Sequence, residues 1–324
     1  MRKGTIIPAL ALLFLCCLLT VAGSAADYPS RPLEIICPWT PGSSTDVSAR
    51  IVAEVGSKYF GQPIVVVNKP GAAGAIAAAD VISTKPDGYK ALWGSHAFFA
   101  MTIRTQKVPF KADDLVPLAN FLELRQGLVV RADSPFKTFD DFLANAKKRQ
   151  GELKWSHSGR GLVLHLIPLI IFKKAGITTI DVPYKGTPEA FAALMGGHVD
   201  AGSFSYAAVV EQVKAGQLRF LMFYSDKRFK DQPNVPTSVE LGYADATLPT
   251  FFGLYVHKDT PESIKKVLAG VAQKICEDPD FKNRIESLGE QPRYGGPEFL
   301  REAIKKQEEL AVPSLKELGL YVGK

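Results

Sequence analysis

The sequence predicts an α/β protein made of two successive units, each a mostly parallel sheet flanked by helices. Three observations carry this expectation. From Leu33 onward short β-rich runs alternate with helical stretches, the alternation restarts near Gly127 after a polar connection, and several strand ends open into Gly- and hydroxyl-rich turns that lead straight into helix starts. Repeated strand-helix-strand patterns put parallel strands into one sheet with helices on both of its faces.

In the first unit the strands are LEIICPW from Leu33, PIVVVNK from Pro63 and YKALWGS from Tyr89. Between them lie the helices STDVSARIVAEVGSKYF from Ser44 and GAAGAIAAADVIS from Gly71. Val47, Ile51 and Val55 recur at four-residue spacing, and Ser43 or Ser44 is placed to cap the helix they define. A polar connection, Lys111 to Glu123, separates the units. The second unit runs GLVVRAD, TFDDFLANAKKR, LKWSHSG, GLVLHLIPLIIFKKAG, TTIDVPY, TPEAFAALMGGH, VDAGSFSY, AAVVEQVKAG and LRFLMFYS. Pro233, Pro236 and Pro249 make the stretch from Lys227 to Thr250 loop-rich. It leads to the strand FFGLYVHK and then to two charged helices, Pro261 to Leu288 and Pro297 to Leu318.

A chain of 324 residues, 46% hydrophobic and 22% charged, has ordinary globular composition and ample material for two domains. Arg2 and Lys3 precede an apolar stretch from Ala9 to Leu19 that ends in Ala22-Gly23-Ser24-Ala25-Ala26. This is the pattern of a secretory signal peptide over residues 1–26. Its apolar core is shorter than the roughly 20 residues that span a bilayer. Leu15 and Cys16 are not the small residues that lipid attachment normally requires. Cleavage near Ala26 removes two basic residues and no acidic one, lowering the formal net charge from +6 to +4. Basic residues are dispersed among acidic ones, as in Lys305-Lys306-Gln307-Glu308-Glu309, which describes a solvated surface and not a nucleic-acid face. No further long apolar segment follows, so a soluble protein outside the cytoplasmic membrane is expected. Cys37 in an apolar strand and Cys276 in a helical pattern are expected as buried thiols, although an oxidising compartment permits a disulfide.

The loops that leave the C-terminal ends of parallel strands lie side by side, and each delivers a helix N-terminus whose free N–H groups favour an anion. Pro41-Gly42-Ser43-Ser44-Thr45-Asp46 is such a loop, with a glycine for the tight turn and three hydroxyls as donors. Asn68 to Ala75, NKPGAAGA, repeats the device with Gly71, Gly74 and an amide. Either loop alone reads as a capped turn, whereas the pair indicates a carboxylate clamp. Asp46 would repel an anion, so its expected work is to orient loop N–H groups or a water, or to favour the helix N-terminus. In the second unit Ser156-His157-Ser158-Gly159-Arg160-Gly161 again joins a strand to a helix, and Tyr184-Lys185-Gly186-Thr187 and Ser203-Phe204-Ser205-Tyr206 occupy equivalent strand ends.

Catalytic signals are weak. Neither G-x-S-x-G nor H-E-x-x-H occurs, no phosphate loop is present, and Gly159-Arg160-Gly161 lacks the third glycine of a dinucleotide fingerprint. The five histidines, at 96, 157, 165, 198 and 257, show no metal-ligand spacing, and His165 lies in an apolar helix as a core residue. His157 beside Ser156 and Ser158 suggests a nucleophile pair, but adjacent residues on a strand face opposite ways. A binder is expected, with no metal and no cofactor. The alternatives are a hydrolase or transferase using the same cleft and a receptor that presents its liganded form to a sensor.

The series YPSRPLEIICPWTPGSSTD, GQPIVVVNKPGAAG, KPDGYKALWGS, VPYKGTPEAFAALMGGHVD, VKAGQLRFL and PNVPTSVELGY resembles, in order and spacing, the periplasmic solute receptors of tripartite tricarboxylate transporters, the Bug family. The resemblance covers essentially the whole chain from Tyr28 onward. It implies a two-lobed periplasmic-binding-protein (Venus-flytrap) fold with a mobile hinge, residues 27–124 and 250–324 forming one lobe and 125–249 the other. It implies a periplasmic receptor, expected as a monomer, that delivers a small carboxylate to a membrane permease without catalysis. The loops Gly42 to Asp46 and Asn68 to Gly74, the latter including Ala72 and Ala73, would hold one carboxylate through N–H groups, hydroxyls and waters. Ser95 and His96 end the third strand beside them. Ser156 to Gly161, Tyr184 to Gly186 and Phe204 to Tyr206 would read the rest of the ligand.

This chain departs from the family pattern in ways that bear on the ligand. Gly42-Ser43-Ser44 stands where three glycines are usual, Leu162-Val163-Leu164 where a polar run is usual, and Phe204 where an acidic residue is common. These changes favour a carboxylate with an apolar or aromatic body. Arg160 either pairs with a second carboxylate or faces solvent.

Overall fold

The computed structural model describes residues 28–184, 186–247 and 249–322. The segment read as a signal peptide and Lys185 of the Tyr184–Gly186 loop lie outside the described residues. In chain order the first elements are β1 (Leu33–Cys37), α1 (Ser44–Phe60), β2 (Ile64–Asn68), α2 (Ala75–Ile82), β3 (Lys90–Ser95), the single turn α3 (Ile103–Thr105) and β4 (Leu115–Leu124). Then come β5 (Gln126–Arg131), α4 (Phe139–Lys148), β6 (Lys154–His157), α5 (Val163–Lys174), β7 (Ile180–Pro183), α6 (Thr187–Met195), β8 (Ala201–Ser205), α7 (Tyr206–Lys214) and β9 (Leu218–Phe223). The chain ends with β10 (Thr250–His257), α8 (Glu262–Glu277), α9 (Pro279–Ser287), β11 (Gln291–Gly295) and α10 (Pro297–Glu317).

Two sheets result, ordered β11-β4-β10-β3-β1-β2 and β7-β6-β8-β5-β9. The two-lobed α/β architecture is as expected, but the sheets are mixed and not mostly parallel. β1 pairs parallel with β2 and β3, and β6 with β7 and β8, whereas β10 runs antiparallel to β3 and β4, and β5 antiparallel to β8 and β9. The antiparallel strands are those that carry the chain between lobes. β4 passes into β5 with only Arg125 between them, and β10 brings the chain back.

The stretch read as a polar connection contains β4. Leu115, Leu118, Ala119, Phe121 and Leu122 are all buried, so both faces of this strand are covered and no alternation marks it. Its polar residues reach partners across the edge, where Asn120 Nδ2 donates to the Arg293 carbonyl at 2.6 Å and Glu123 accepts from Arg293 Nη1 at 2.6 Å. The helix expected over 261–288 divides at Asp278, which accepts the Asp280 N–H at 2.8 Å and caps α9, with Pro279 at its first position.

Each lobe has its own core, around Trp93 and Trp155 respectively, both 0% exposed. α10, expected to belong to the first lobe, packs on both. Leu300 sits with Ile36, Leu92 and Tyr255, while Ala311 and Leu315 join Leu166, Ile167 and Trp155 in the second core. A helix therefore ties the lobes together in addition to the crossing strands.

Candidate functional site

The loop after β1 is built around one buried carboxylate. Asp46, 1% exposed, accepts the Gly42 N–H at 2.8 Å and Arg50 Nε at 3.0 Å on Oδ2, and Asn68 Nδ2 at 2.7 Å on Oδ1. Asn68 Nδ2 also donates to the Trp39 carbonyl at 2.9 Å, and Arg50 Nη2 donates to Asn68 Oδ1 at 2.9 Å. Burial alone would raise the Asp46 pKa, but Arg50, Asn68 and the Gly42 N–H outweigh it and hold the carboxyl below its ordinary range. Gly42 takes φ +82°, which a side chain would disfavour, and Ser43 Oγ caps α1 by accepting the Asp46 N–H at 3.2 Å. The donors of Ser43, Ser44 and Thr45 are thereby left at the head of a 17-residue helix.

The loop after β2 runs through four consecutive left-handed residues, Gly71 (φ 127°), Ala72 (φ 45°), Ala73 (φ 49°) and Gly74 (φ 101°). An alanine in this region costs about 1–2 kcal/mol, a local strain of the kind that concentrates at functional sites. Gln106 Nε2 holds the turn by donating to the Ala72 carbonyl at 2.8 Å.

These loops face the second lobe across a cavity of about 500 Å³. Ser43, Ser44, Thr45, Ala73, Gly74 and Ser95 line one side, and Ser158, Thr187, Ser205 and the run Leu162-Val163-Leu164 line the other. Leu124, Gln126, Thr250 and Glu290 lie where the strands cross between lobes, with Thr250 Oγ1 donating to Gln126 Oε1 at 2.8 Å. Trp39, Phe98 and Phe252 widen the apolar wall, and Leu162 is 38% exposed to the cleft. No Lys, Arg or His lines the cavity among the described residues, and Glu290 is the one ionisable side chain on its wall.

Several residues expected in the site stand behind it. Gly42, Asp46, Asn68, Gly71 and Ala72 shape the two loops without lining the cavity. His96 points away from Ser95 and accepts the Phe251 N–H on Nδ1 at 3.1 Å, and complete burial lowers its pKa to about 4. It faces a separate cavity of about 280 Å³ bordered by Arg293 and Phe299. Ser156 donates to the Ala190 carbonyl at 2.9 Å inside the second lobe. Phe204, 0% exposed, packs behind Ser205 against Phe191, so its side chain adds nothing to the cleft wall. Tyr184 is half-buried in a satellite core with Val182 and Phe191, and its backbone N–H bonds the His157 carbonyl at 3.0 Å.

His157, Arg160 and Gly161 belong to a brace beneath the second-lobe loop. The fold brings His157, His165 and Asp181 together, their ligand-type atoms within 4.8 Å, although 157, 165 and 181 have no metal-ligand spacing in sequence. The hydrogen bonds describe a brace and not a metal site. Gly161 N–H donates to His165 Nδ1 at 3.0 Å, which leaves the proton on Nε2, facing Asp181 Oδ2 at 3.5 Å, with no lone pair for an ion there. His157 presents Nε2 to the same oxygen at 3.5 Å, and its Nδ1 meets Gly159. Burial holds both imidazoles neutral by lowering their pKa values. Arg160 completes the cluster at 3.0 Å from Asp181 with a side chain 55% exposed. Such a pair contributes about 0.2–1 kcal/mol, so Arg160→Ala is expected to shift stability by less than that and to leave carboxylate affinity unchanged in a calorimetric titration. A tenfold loss would return Arg160 to the ligand.

Sequence reasoning missed Trp39, Phe98, Gln126, Thr187, Thr250, Phe252 and Glu290. Thr187 closes the quoted strand-end loop Tyr184-Lys185-Gly186-Thr187 and Trp39 ends the quoted run LEIICPW, yet neither was assigned to the site, while Gln126, Thr250, Phe252 and Glu290 meet the cleft through pairing of strands distant in sequence.

Comparison with known proteins gives the family and the fold. The model of the tripartite tricarboxylate transporter family receptors matches residues 48–320. A Cupriavidus necator protein encoded in the gbd 5' region is 34% identical over 303 residues, covering 91% of this chain and 90% of its own. A solute-binding protein of this family from Polaromonas superposes with a TM-score of 0.78 at 32% identity, covering 89% of this chain and 99% of its own. An R. palustris protein solved with adipate gives a TM-score of 0.77 at 25% identity over 90% of this chain and 99% of its own. These are solute-binding receptors and not enzymes, and the family implies a periplasmic place. The chain belongs to the receptors of the tripartite tricarboxylate transporter family.

Proposed function

We propose that this receptor captures a small carboxylate with an apolar body and passes it, as a monomer in the periplasm, to the permease of a tripartite tricarboxylate transporter. One observation carries the reading. The cleft sets the hydroxyls of Ser43, Ser44 and Thr45 and the N–H groups of Ser44, Thr45 and Ala73 opposite the apolar run Leu162-Val163-Leu164, with no cationic side chain on its wall among the described residues. An anion is then held by helix and loop dipoles and not by an ion pair. Ser95, Ser158 and Ser205 supply further hydroxyls to the same ligand. The adipate bound by the R. palustris relative supports a carboxylate of this size.

A panel of mono- and dicarboxylates tests the proposal by thermal unfolding. The cognate ligand stabilises the fold by about 2.7 kcal/mol at a hundredfold excess over its dissociation constant, and is recovered chemically unchanged. A panel without effect, from protein freed of copurifying ligand, would overturn it.

A further inference from the structure

Glu290 differs from every other described residue on the cleft wall in carrying an ionisable side chain. It follows α9 through Gly289 and immediately precedes β11, so the edge of the first sheet sets its place. Its Oε2 accepts the backbone N–H of Arg125, the residue that joins the two lobes, at 2.9 Å. Its Oε1 has no hydrogen-bond partner, and the whole residue is 3% exposed while bordering the cavity. A buried carboxylate with an unpaired oxygen is strongly disfavoured, whereas a carboxylic acid has one O–H to donate.

The charged neighbours do not neutralise it. The Arg125 guanidinium lies over the Tyr206 ring at 3.8 Å and pairs with Asp231 at 2.9 Å. Tyr206, from α7, gives its own hydroxyl proton to Asp231 at 3.1 Å. Glu123, from the neighbouring β4, is bound to Arg293. Cys276, from α8, keeps its thiol protonated, because burial pushes it up to about 12. Burial pushes Glu290 itself up to about 8, the Arg125 N–H and charge pull it down, and Glu123 pushes it further up.

We infer that Glu290 reads the ligand as a neutral acid, donating from its free oxygen to a hydrogen-bond acceptor on the half of the ligand remote from the Ser43–Thr45 loop. The inference rests on the carboxylate-receptor reading and adds to it. The acceptor is a carbonyl, a hydroxyl or a second carboxyl, and a ligand bearing only hydrocarbon there leaves Glu290 unpaired. The protonated form binds and the ionised form repels an anionic ligand. Affinity is therefore flat between about pH 6 and neutrality, where the ligand carboxylate stays ionised, and falls as pH rises through the Glu290 pKa, about tenfold per unit well above it.

The first test needs no ligand. An infrared difference spectrum of the whole protein between about pH 6 and about pH 10 shows a protonated-carboxyl band at the lower pH that is missing in Glu290→Gln. Absence of that band in the wild type overturns the inference whatever the ligand. The second test titrates hexanoate, adipate and 6-aminohexanoate, which share a chain length and differ only at the far end. Adipate binds tightest, and Glu290→Met weakens it about tenfold or more while changing hexanoate little. Glu290→Gln, a donor without a titratable proton, loses the alkaline decline. If 6-aminohexanoate binds tightest and Glu290→Gln abolishes its binding, Glu290 is an ionised partner of an ammonium group and the inference fails. If no carboxylate of a wider panel binds, the receptor reading fails, and the infrared band still decides the state of Glu290.

Discussion

Asp46→Ala is expected to lower the unfolding free energy by about 2–4 kcal/mol and to remove carboxylate binding. The Asp46 carboxylate is 1% exposed and joins three donors that have no other common partner, the Gly42 N–H, Arg50 Nε and Asn68 Nδ2. Its removal strands the buried ends of these groups, and the half-exposed Arg50 alone can turn to water. The Gly42 turn then loses the contact that aims Ser43 and Ser44 at the cleft, so the stability loss and the binding loss share one cause. The folded-state pKa of Asp46 is depressed, so its contribution is present above its ordinary value of 3.8 and is lost as pH falls through the folded value. Urea unfolding at neutral pH shows the full gap between wild type and variant, and unfolding in acid shows the gap narrowing. Equal stability at neutral pH would mean that the loop is held some other way.

Trp155→Ala is expected to cost about 3–5 kcal/mol. The indole is 0% exposed at the centre of the second core, with ring centroids of His157, Phe172 and His165 at 5.0, 5.7 and 6.1 Å. Its Nε1 donates to Thr179 Oγ1 at 3.1 Å, a bond the variant also loses. The same ring packs against the two imidazoles that hold Gly159 and Gly161, so ligand affinity falls along with stability in whatever fraction stays folded. Trp155→Phe, which fills most of the space, costs less than half as much. Denaturant midpoints check the order, and an alanine variant within about 1 kcal/mol of wild type would contradict this packing account.

What was legible in the sequence follows from how local its cause is. α1 shows itself because Ser43, the apolar spacing of Val47, Ile51 and Val55 and the C-cap Gly61 all lie within 20 residues. β4 is hidden because it is buried on both faces, and Asn120 and Glu123 read as polar until Arg293, 170 or more residues later, is folded onto them. β11 carries Pro292 and polar letters that no periodicity marks, since it is an edge strand. The loops after β1 and β2 are legible as a pair, since Gly42 with three hydroxyl residues and Asn68 with Gly71 and Gly74 recur at adjacent parallel strand ends. Side-chain direction is less so. Ser95 and His96, or Phe204 and Ser205, must point oppositely, yet only the packed core decides which member meets the cleft. Glu290 gave no signal, because its meaning depends on an N–H 165 residues earlier.

A crystal structure with the carboxylate that raises the melting temperature most is the most direct test of the central claim, that the cleft between the lobes is the carboxylate site. The predicted result is a carboxylate group within hydrogen-bond distance of the Ser43–Thr45 loop and the Ala73–Gly74 turn, with the ligand body against Leu162, Val163 and Leu164. Ligand density beside His96 and Arg293 in the smaller cavity, or a carboxylate paired with Arg160, would contradict it.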